Sequence, residues 1–337
     1  MLKQQQLLNN FLEEWNQQQG ISVRTSGSTG APKNIILPHA QIVRSALRSN
    51  KFFGIQRNSR LHSAISFDYI GGKMMIARSL LAGCTLTFDR PRIDVELKEM
   101  DKPVRLLSAV PAQMHYILEN PSRFACVEQF LIGGSAISDN IWNSIVNSGL
   151  TAWESYGMTE TATHIGMRRV LGQADSRPRF VPLRGVTIKS GSDGCMLIQD
   201  GDIFVATTDL VKIYPDSSFE ILGRKDDIII TGGLKVLPQE LEKKLLPFVS
   251  PLLTTFYISS IPDEIWSSRL VLVGVPADYK DLSEEEKKNL EQLLRQRMRN
   301  IPEDIIPRRL LPKEVKIVEA LPTTSSGKLY RKYKFTE

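Results

Sequence analysis

The sequence predicts an α/β protein: a large α/β N-terminal domain that ends in a small β-rich segment, followed by a smaller, mobile α+β C-terminal domain. Three observations carry this. Short apolar runs alternate with helical patterns between Leu61 and Trp153, the texture changes to brief strands punctuated by Gly191, Gly194 and Gly201 after Pro182, and from Ile228 the chain reads as a separate mixture of strands and helices. A length of 337 residues also exceeds what one core usually organises. The reading places the boundary between residues 1–225 and 226–337.

Taken in order, Leu7, Leu8, Phe11, Leu12 and Trp15 lie on one stripe of an amphipathic helix over residues 2–18, ended by Gly20, which docks on the protein. Ile21 to Arg24 is a short strand, and Ala40 to Asn50 is helical. Arg105 to Val110, Phe130 to Ile132 and Thr151 to Trp153 are apolar runs separated by helices, with a further helix over Lys73 to Leu81. That alternation is the pattern of buried, largely parallel strands with helical crossovers. Strands then follow at Val186 to Lys189, Cys195 to Ile198, Ile203 to Ala206 and Phe219 to Leu222.

Beyond Asp227 the pattern is strand (Ile228 to Thr231), helix (Pro238 to Leu246), strands (Thr254 to Ser259 and Leu270 to Val275), a long helix and a last strand (Val315 to Val318). Ser283 and Glu286 form a capping box at the start of the long helix. Leu290, Leu293, Leu294 and Met298 share one face of it, and Glu284 with Lys288 and Glu291 with Arg295 are spaced as i,i+4 ion pairs.

Composition narrows the function. Basic residues exceed acidic ones by a net charge of +6, but they are scattered and no basic run is interleaved with aromatics, which argues against nucleic acid. A mild positive excess suits small polyanionic ligands. Cys84, Cys126 and Cys195 are an odd set without a close pair, so neither a disulfide framework nor a zinc site is indicated. No apolar run approaches the roughly 20 residues of a membrane span, and the Gln-rich N-terminus lacks the features of a secretory signal. The expectation is a cytoplasmic protein; a homodimer is left open.

Four segments carry chemistry. The stretch Thr25-Ser-Gly-Ser-Thr-Gly-Ala-Pro-Lys33 joins glycines, which let backbone N–H groups turn toward an anion, to hydroxyl donors and a lysine charge. It suits a triphosphate but is not a Walker A loop, since Lys33 is followed by Asn34. Tyr156-Gly-Met-Thr-Glu160 sets an aromatic face beside a hydroxyl and a carboxylate. Gly223-Arg-Lys-Asp-Asp227 is a charged turn where the texture changes, and Pro322-Thr-Thr-Ser-Ser-Gly-Lys328 holds a lysine on a flexible loop. Each alone could be a surface turn, a helix-start carboxylate or a solvated charge.

Together and in this order they resemble the signature of the adenylate-forming superfamily: acyl-CoA synthetases, luciferases and adenylation domains. The resemblance runs from about residue 22 to the end and implies ATP, Mg²⁺ and CoA as ligands, with a small carboxylate as substrate. It implies that Thr25, Ser26, Gly27, Ser28, Thr29, Gly30 and Lys33 cradle phosphates, with His39 also matching. Gly133, Gly134 and Ser135 resemble the glycine-rich turn beside adenine, although a glycine pair after a strand is also a plain turn. Ser155, Tyr156 and Gly157 would bind the nucleotide, with Tyr156 packing on adenine, and Thr159 and Glu160 would serve phosphate and metal, Glu160 as the Mg²⁺ ligand. Asp209, in Thr207-Thr-Asp-Leu210, and Arg224 match the ribose ligands, Asp226 matches the hinge, and Lys328 matches the catalytic lysine.

The chain also departs from the pattern. Thr208 stands where the family usually has glycine, and only 24 residues precede the phosphate loop where relatives carry a further subdomain. A naturally compact form is expected, with a fragment as the alternative. In Ser66-Phe-Asp-Tyr-Ile-Gly-Gly72, Tyr69 occupies a position where many relatives have histidine. Compact size, the texture of Phe67 to Leu81 and Ser108-Ala-Val-Pro-Ala-Gln113 resemble o-succinylbenzoate-CoA ligases of menaquinone biosynthesis. Tyr69, Gly72 and Lys73 are then the acyl-binding candidates, Lys73 and Arg78 being either partners of a second carboxylate or plain surface charges. The alternatives are another acid or a carrier-protein thiol within the superfamily, and a non-catalytic nucleotide-binding regulatory protein.

Overall fold

Residues Leu2–Gln17 form a helix, α1, because Phe11 is fully buried among Ile21, Val23, Ile42 and Met74, with Leu7, Leu8, Leu12 and Trp15 packed around it. Truncating such a residue costs about 3–5 kcal/mol. Gln18 rather than Gly20 takes the left-handed turn that ends the helix, at φ 56°. One glutamine of the Gln-rich start is structural: buried Gln4 accepts the Phe67 N–H at 3.2 Å. The computed structural model describes residues 1–24, 34–323 and 329–331. They fall into two compact units, Met1–Lys189 with Leu197–Val205 and Ile213–Glu220, and Ser190–Met196 with Ala206–Lys212 and Ile221–Glu337.

In the first unit, β1 (Ile21–Arg24) and β2 (Asn34–Leu37) pair antiparallel, from Ile21 opposite Leu37 to Arg24 opposite Asn34. There follow α2 (His39–Phe53), β3 (Arg60–Ser63), α3 (Ile70–Ala82), β4 (Thr85–Phe88), β5 (Leu106–Ala109), α4 (Pro111–Glu119), β6 (Phe130–Ile132), α5 (Asp139–Ser148), β7 (Ala152–Met158), β8 (Thr163–Arg169) and β9 (Val181–Pro182). The sheet has seven strands in the order β4-β3-β5-β6-β7-β8-β9. Strands β4 to β7 are mutually parallel, while β8 and β9 return antiparallel.

Every residue of β3, β5 and β6 is buried; in β5 and β6 this goes with largely apolar sequence, whereas β3 buries Arg60, His62 and Ser63 beside Leu61. One core gathers Phe130, Ile132, Met114, Ile117, Trp142 and Ile145, and another gathers Leu61, Leu106, Leu131, Phe53 and Met75. The chain leaves β3 to one side for β4 and returns on the other for β5. In sheets of this kind such a reversal is the usual place of a ligand crevice, at the carboxyl ends of the strands on either side of it. Ser66 to Gly72 begins there.

A four-stranded sheet, β10 (Val186–Ser190), β11 (Cys195–Asp200), β12 (Ile203–Ile213) and β13 (Phe219–Arg224), runs in sequence order. Its residues are divided between the two units. The remainder of the second unit comprises a hairpin of β14 (Ile229–Thr231) and β15 (Leu234–Val236), α6 (Pro238–Val249), β16 (Thr255–Asp263), β17 (Ser267–Val275), α7 (Glu284–Arg299) and β18 (Glu314–Ile317). Strand β17 lies between antiparallel β16 and parallel β18. Leu241, Leu245, Leu272, Leu294 and Met298 centre this core.

The capping box of α7 forms, with the Ser283 N–H donating to Glu286 Oε2 at 2.8 Å. Arg295 meets Glu291 at 3.6 Å, but Glu284 pairs with Lys287 at 2.7 Å in place of Lys288, because the Lys287 ammonium also sits 4.2 Å over the Tyr279 ring. Leu294 and Met298 are buried, whereas Leu293 turns outward at 40% exposure. Among the described residues, no helix is long and apolar enough to cross a membrane.

Candidate active site

The carboxyl ends of β6 and β7 bring two of the sequence-predicted segments side by side. Strand β6 ends at Ile132, so Gly133, Gly134 and Ser135 form the turn that follows it, and Ser155, Tyr156 and Gly157 lie on the neighbouring parallel strand. Ser155 Oγ donates to the Ile132 carbonyl at 3.0 Å. A Cβ on Gly133 would sit 2.6 Å from that hydroxyl oxygen, so the approach needs glycine. Gly134 and Ser135 are exposed.

Beyond Tyr156 the β7–β8 register slips, and Gly157 opposes His164 where Tyr156 had opposed Gly166. A Cβ on Gly157 would lie 2.0 Å from the Thr163 carbonyl oxygen. Only glycine lets the strands close here. Thr159 and Glu160 then form a single 3₁₀ turn, with Ala162 and Thr163 at φ 52° and 103°. Such a dihedral is unusual for a β-branched residue and is held by its surroundings. Thr161 Oγ1 accepts from the Met158 N–H at 3.1 Å and lies 2.7 Å from the Thr163 carbonyl.

Helix α2 supplies the other braces. Gln41 Nε2 donates to the Glu160 carbonyl at 2.8 Å and Ser45 Oγ to the Ala162 carbonyl at 3.1 Å. The sequence reading missed these residues. Their signal is a polar stripe, Gln41, Ser45 and Ser49, at i,i+4 spacing on the helix that follows β2, all three buried. Tyr156 packs edge-on to Phe219 with centroids 5.8 Å apart, and Phe219 stacks on Phe180 at 5.5 Å. Beneath them, buried Glu154 accepts from Arg168 Nε at 2.6 Å and from the Ile137 N–H at 2.9 Å.

The Glu160 side chain is exposed and makes no ion pair among the described residues. No cluster of three or more metal-ligating side chains occurs among those residues either. A magnesium ion fits this donor set, because Mg²⁺ is commonly held by one or two carboxylates together with substrate phosphates and water.

The acyl-binding candidates lie elsewhere in the unit, after β3. Tyr69 precedes α3 and is 39% exposed, and a Cβ on Gly72 would meet the Ser66 carbonyl oxygen at 2.2 Å. Lys73 and Arg78 are not surface charges. Lys73 is buried, donates to the Ser22 carbonyl at 2.6 Å, and has its pKa lowered by burial against the opposing pull of Glu14 and Asp68. Arg78 is fully buried and donates to Ser49 Oγ at 2.8 Å, with burial pushing its pKa down to about 9. Both are enclosed because α3 packs against α2 and the sheet.

Ser108, at the end of β5 opposite Ser63, has a buried hydroxyl with no hydrogen-bond partner among the described residues. His62, on β3, is structural: its Nδ1 lies 3.0 Å from Thr87 Oγ1, and burial lowers its pKa to about 4, with Asp89 pulling upward and Arg60 downward.

In the second unit, Asp209 on β12 and Arg224 on β13 come together, with Arg224 Nε 3.4 Å from Asp209 Oδ1. Arg224 Nη2 lies 3.5 Å from Asp226 Oδ2. Thr25, Ser26, Gly27, Ser28, Thr29, Gly30 and Lys33, and likewise Lys328, lie outside the described residues. The residues flanking Lys328 are anchored: Thr323 bridges Leu329, and the Tyr330 N–H donates to the Pro322 carbonyl at 2.8 Å. Arg331 Nη2 reaches Glu242 Oε2 at 2.8 Å, and its Nε lies 3.8 Å from Asp227 Oδ2.

The family described as AMP-binding enzyme matches residues 24–214. The chain is 23% identical to a 2-succinylbenzoate–CoA ligase of Bacillus anthracis, over 97% of this chain and 73% of that protein. A protein of the same name from Listeria monocytogenes is 25% identical, over 95% and 71%. Among solved structures, an AMP-forming acyl-CoA synthetase/AMP-acid ligase II-like protein from Dyadobacter fermentans has a TM-score of 0.60 at 25% identity, covering 96% of this chain and 91% of that one. The o-succinylbenzoate coenzyme A synthetase of Bacillus subtilis, solved with ATP and magnesium ion, has a TM-score of 0.73 at 22% identity, covering 92% and 68%.

Proposed function

The chain belongs to the AMP-binding enzyme family, and from that premise we propose that it is an ATP-dependent acid–CoA ligase that joins o-succinylbenzoate to CoA in menaquinone biosynthesis. One observation carries the reading: Gly133–Ser135 and Ser155–Glu160 stand side by side at the carboxyl ends of adjacent parallel strands, where α/β sheets hold ligands.

In this reading the substrate carboxylate attacks the α-phosphorus of ATP, pyrophosphate leaves, and an acyl-AMP forms. The CoA thiolate then attacks the acyl carbonyl and AMP leaves. Thr25 to Gly30 and Lys33 hold the phosphates, Gly133 to Ser135 and Ser155 to Gly157 frame the base, and Tyr156 packs on adenine. Asp209 and Arg224 take the ribose. Thr159 and Glu160 serve the phosphates, and Glu160 holds Mg²⁺, which would neutralise phosphate charge when bound. The Lys328 ammonium acts on charge that develops as the α-phosphorus is attacked, an interaction stronger in the transition state than in the ground state.

Lys328 is needed in the first half-reaction only. Residues 226–337 are therefore a mobile domain that swings about Asp226 between the two steps. Tyr69 and Gly72 border the acyl group. The cytoplasm, where ATP and CoA are both available, is the compartment this chemistry requires.

The test is carboxylate-dependent ATP–pyrophosphate exchange across aromatic, fatty and amino acids including o-succinylbenzoate. Exchange with o-succinylbenzoate in preference to the others is the expected result. Exchange only with another acid moves the chain elsewhere in the family, and exchange with none points to a nucleotide-binding regulatory protein.

A further inference from the structure

The alternation of exposure along β12 holds from Ile203 to Ala206 and is lost over Thr207 to Leu210. The Asp209 N–H donates to Thr207 Oγ1 at 3.1 Å, a local bond that competes with regular strand geometry. In a flat strand, consecutive side chains point to opposite faces. Here two neighbours, Thr208 and Asp209, meet one guanidinium. Arg224 Nη2 donates to Thr208 Oγ1 at 2.6 Å and Arg224 Nε lies 3.3 Å from the same oxygen, closer than the 3.4 Å to Asp209 Oδ1. The arginine side chain is one-third exposed.

We propose that Thr208 is a positioning residue: its hydroxyl fixes the Arg224 fork beside Asp209, so that the pair receives a vicinal ribose diol and favours ribonucleotides over 2′-deoxyribonucleotides. This rests on the reading of the chain as a nucleotide-using ligase. An unrestrained arginine side chain carries considerable rotamer entropy, and a guanidinium already held in place loses less of it when a ligand hydroxyl arrives. Glycine, the usual residue here among the relatives this chain resembles, offers no side-chain oxygen. Threonine offers a hydroxyl that accepts from the fork and keeps one proton to donate.

The experiment is calorimetric titration of the full chain with AMP and with 2′-deoxyAMP. Thr208→Val keeps the branched shape and removes the acceptor. It is expected to weaken AMP binding about tenfold, the effect of one hydrogen bond to a charged group, and to lower the AMP/2′-deoxyAMP ratio, with Thr208→Ser restoring both. Valine and wild-type proteins that bind both nucleotides alike would overturn the inference and leave the function standing. So would equal weakening in the valine and serine variants. A wild-type chain that binds no AMP would remove the nucleotide reading, and this inference with it.

Discussion

Replacing Arg331 with alanine should strike the second unit hard, because it removes the cation that two carboxylates share. The side chains of Arg331, Glu242 and Asp227 are 17%, 16% and 17% exposed. Each carboxylate has another donor, since Glu242 Oε1 accepts the Ile258 N–H at 2.7 Å and Asp227 Oδ2 accepts from Gln239 Nε2 at 3.0 Å. Neither donor carries a charge. Breaking a buried ion pair by deleting one partner costs about 3–5 kcal/mol, and the residual water access sets the expectation at the lower end, about 3 kcal/mol. With a urea m-value of about 2 kcal/mol/M, the midpoint should fall by about 1.5 M. The measurement is urea unfolding by circular dichroism, with hydrogen exchange at β16 and β17 amides as the local readout. Arg331→Lys keeps the charge without the planar fork and should fall between the two. A shift below about 0.3 M, or 1 M salt reproducing the loss in the wild-type protein, would make Arg331 a screened surface contact and refute the expected cost.

Three further outcomes are expected. Lys328→Ala should abolish acyl-AMP formation while sparing thioester formation from preformed acyl-AMP; equal loss in both half-reactions contradicts its assignment to one step. Gly157→Ala drives a Cβ to 2.0 Å from the Thr163 carbonyl oxygen, a backbone atom that cannot swing aside. That variant should lose about 3 kcal/mol of stability and bind ATP weakly, and thermal unfolding within about 1 °C of wild type would rule the clash out. His62 has its pKa lowered to about 4 in the fold from 6.5, so the unfolded chain binds the proton first as pH falls. The native state therefore holds its full stability above pH 6.5 and loses up to about 3 kcal/mol between pH 6.5 and 4. His62→Gln should flatten that slope in pH-dependent urea midpoints, and an unchanged slope excludes His62 as its source.

Much of the sheet was legible because parallel strands buried on both faces leave apolar runs, as in Leu106–Ala109 and Phe130–Ile132. Strand β8 was not, since Thr-His-Ile-Gly-Met-Arg-Arg mixes polar and apolar residues with no period, and its place is set by pairing with β7. Strand β12 runs on to Ile213 through Thr207-Thr-Asp, a sequence that reads locally as a turn. Lys73 and Arg78 have the sequence look of a wet helix face, yet partners distant in the chain enclose them, Ser22 and Ser49 respectively. The candidates Gly133 to Ser135 and Ser155 to Glu160 stood out in the sequence because local motifs carry them. Gln41 and Ser45 sit in no local motif, and Thr208 showed only as a departure from one, because what these residues do comes from contacts 119, 117 and 16 residues away.

The polypeptide passes from one unit to the other five times, at residues 189/190, 196/197, 205/206, 212/213 and 220/221. A nick at the third of these leaves an N-terminal piece that already contains Ser190–Met196 of the second unit, and a C-terminal piece that still contains Ile213–Glu220 of the first. Neither piece corresponds to a whole unit. Limited proteolysis in this stretch should thus yield fragments that stay associated until denatured, and split halves joined around residue 205 should complement one another in a way that halves of two proteins tethered by a single linker cannot.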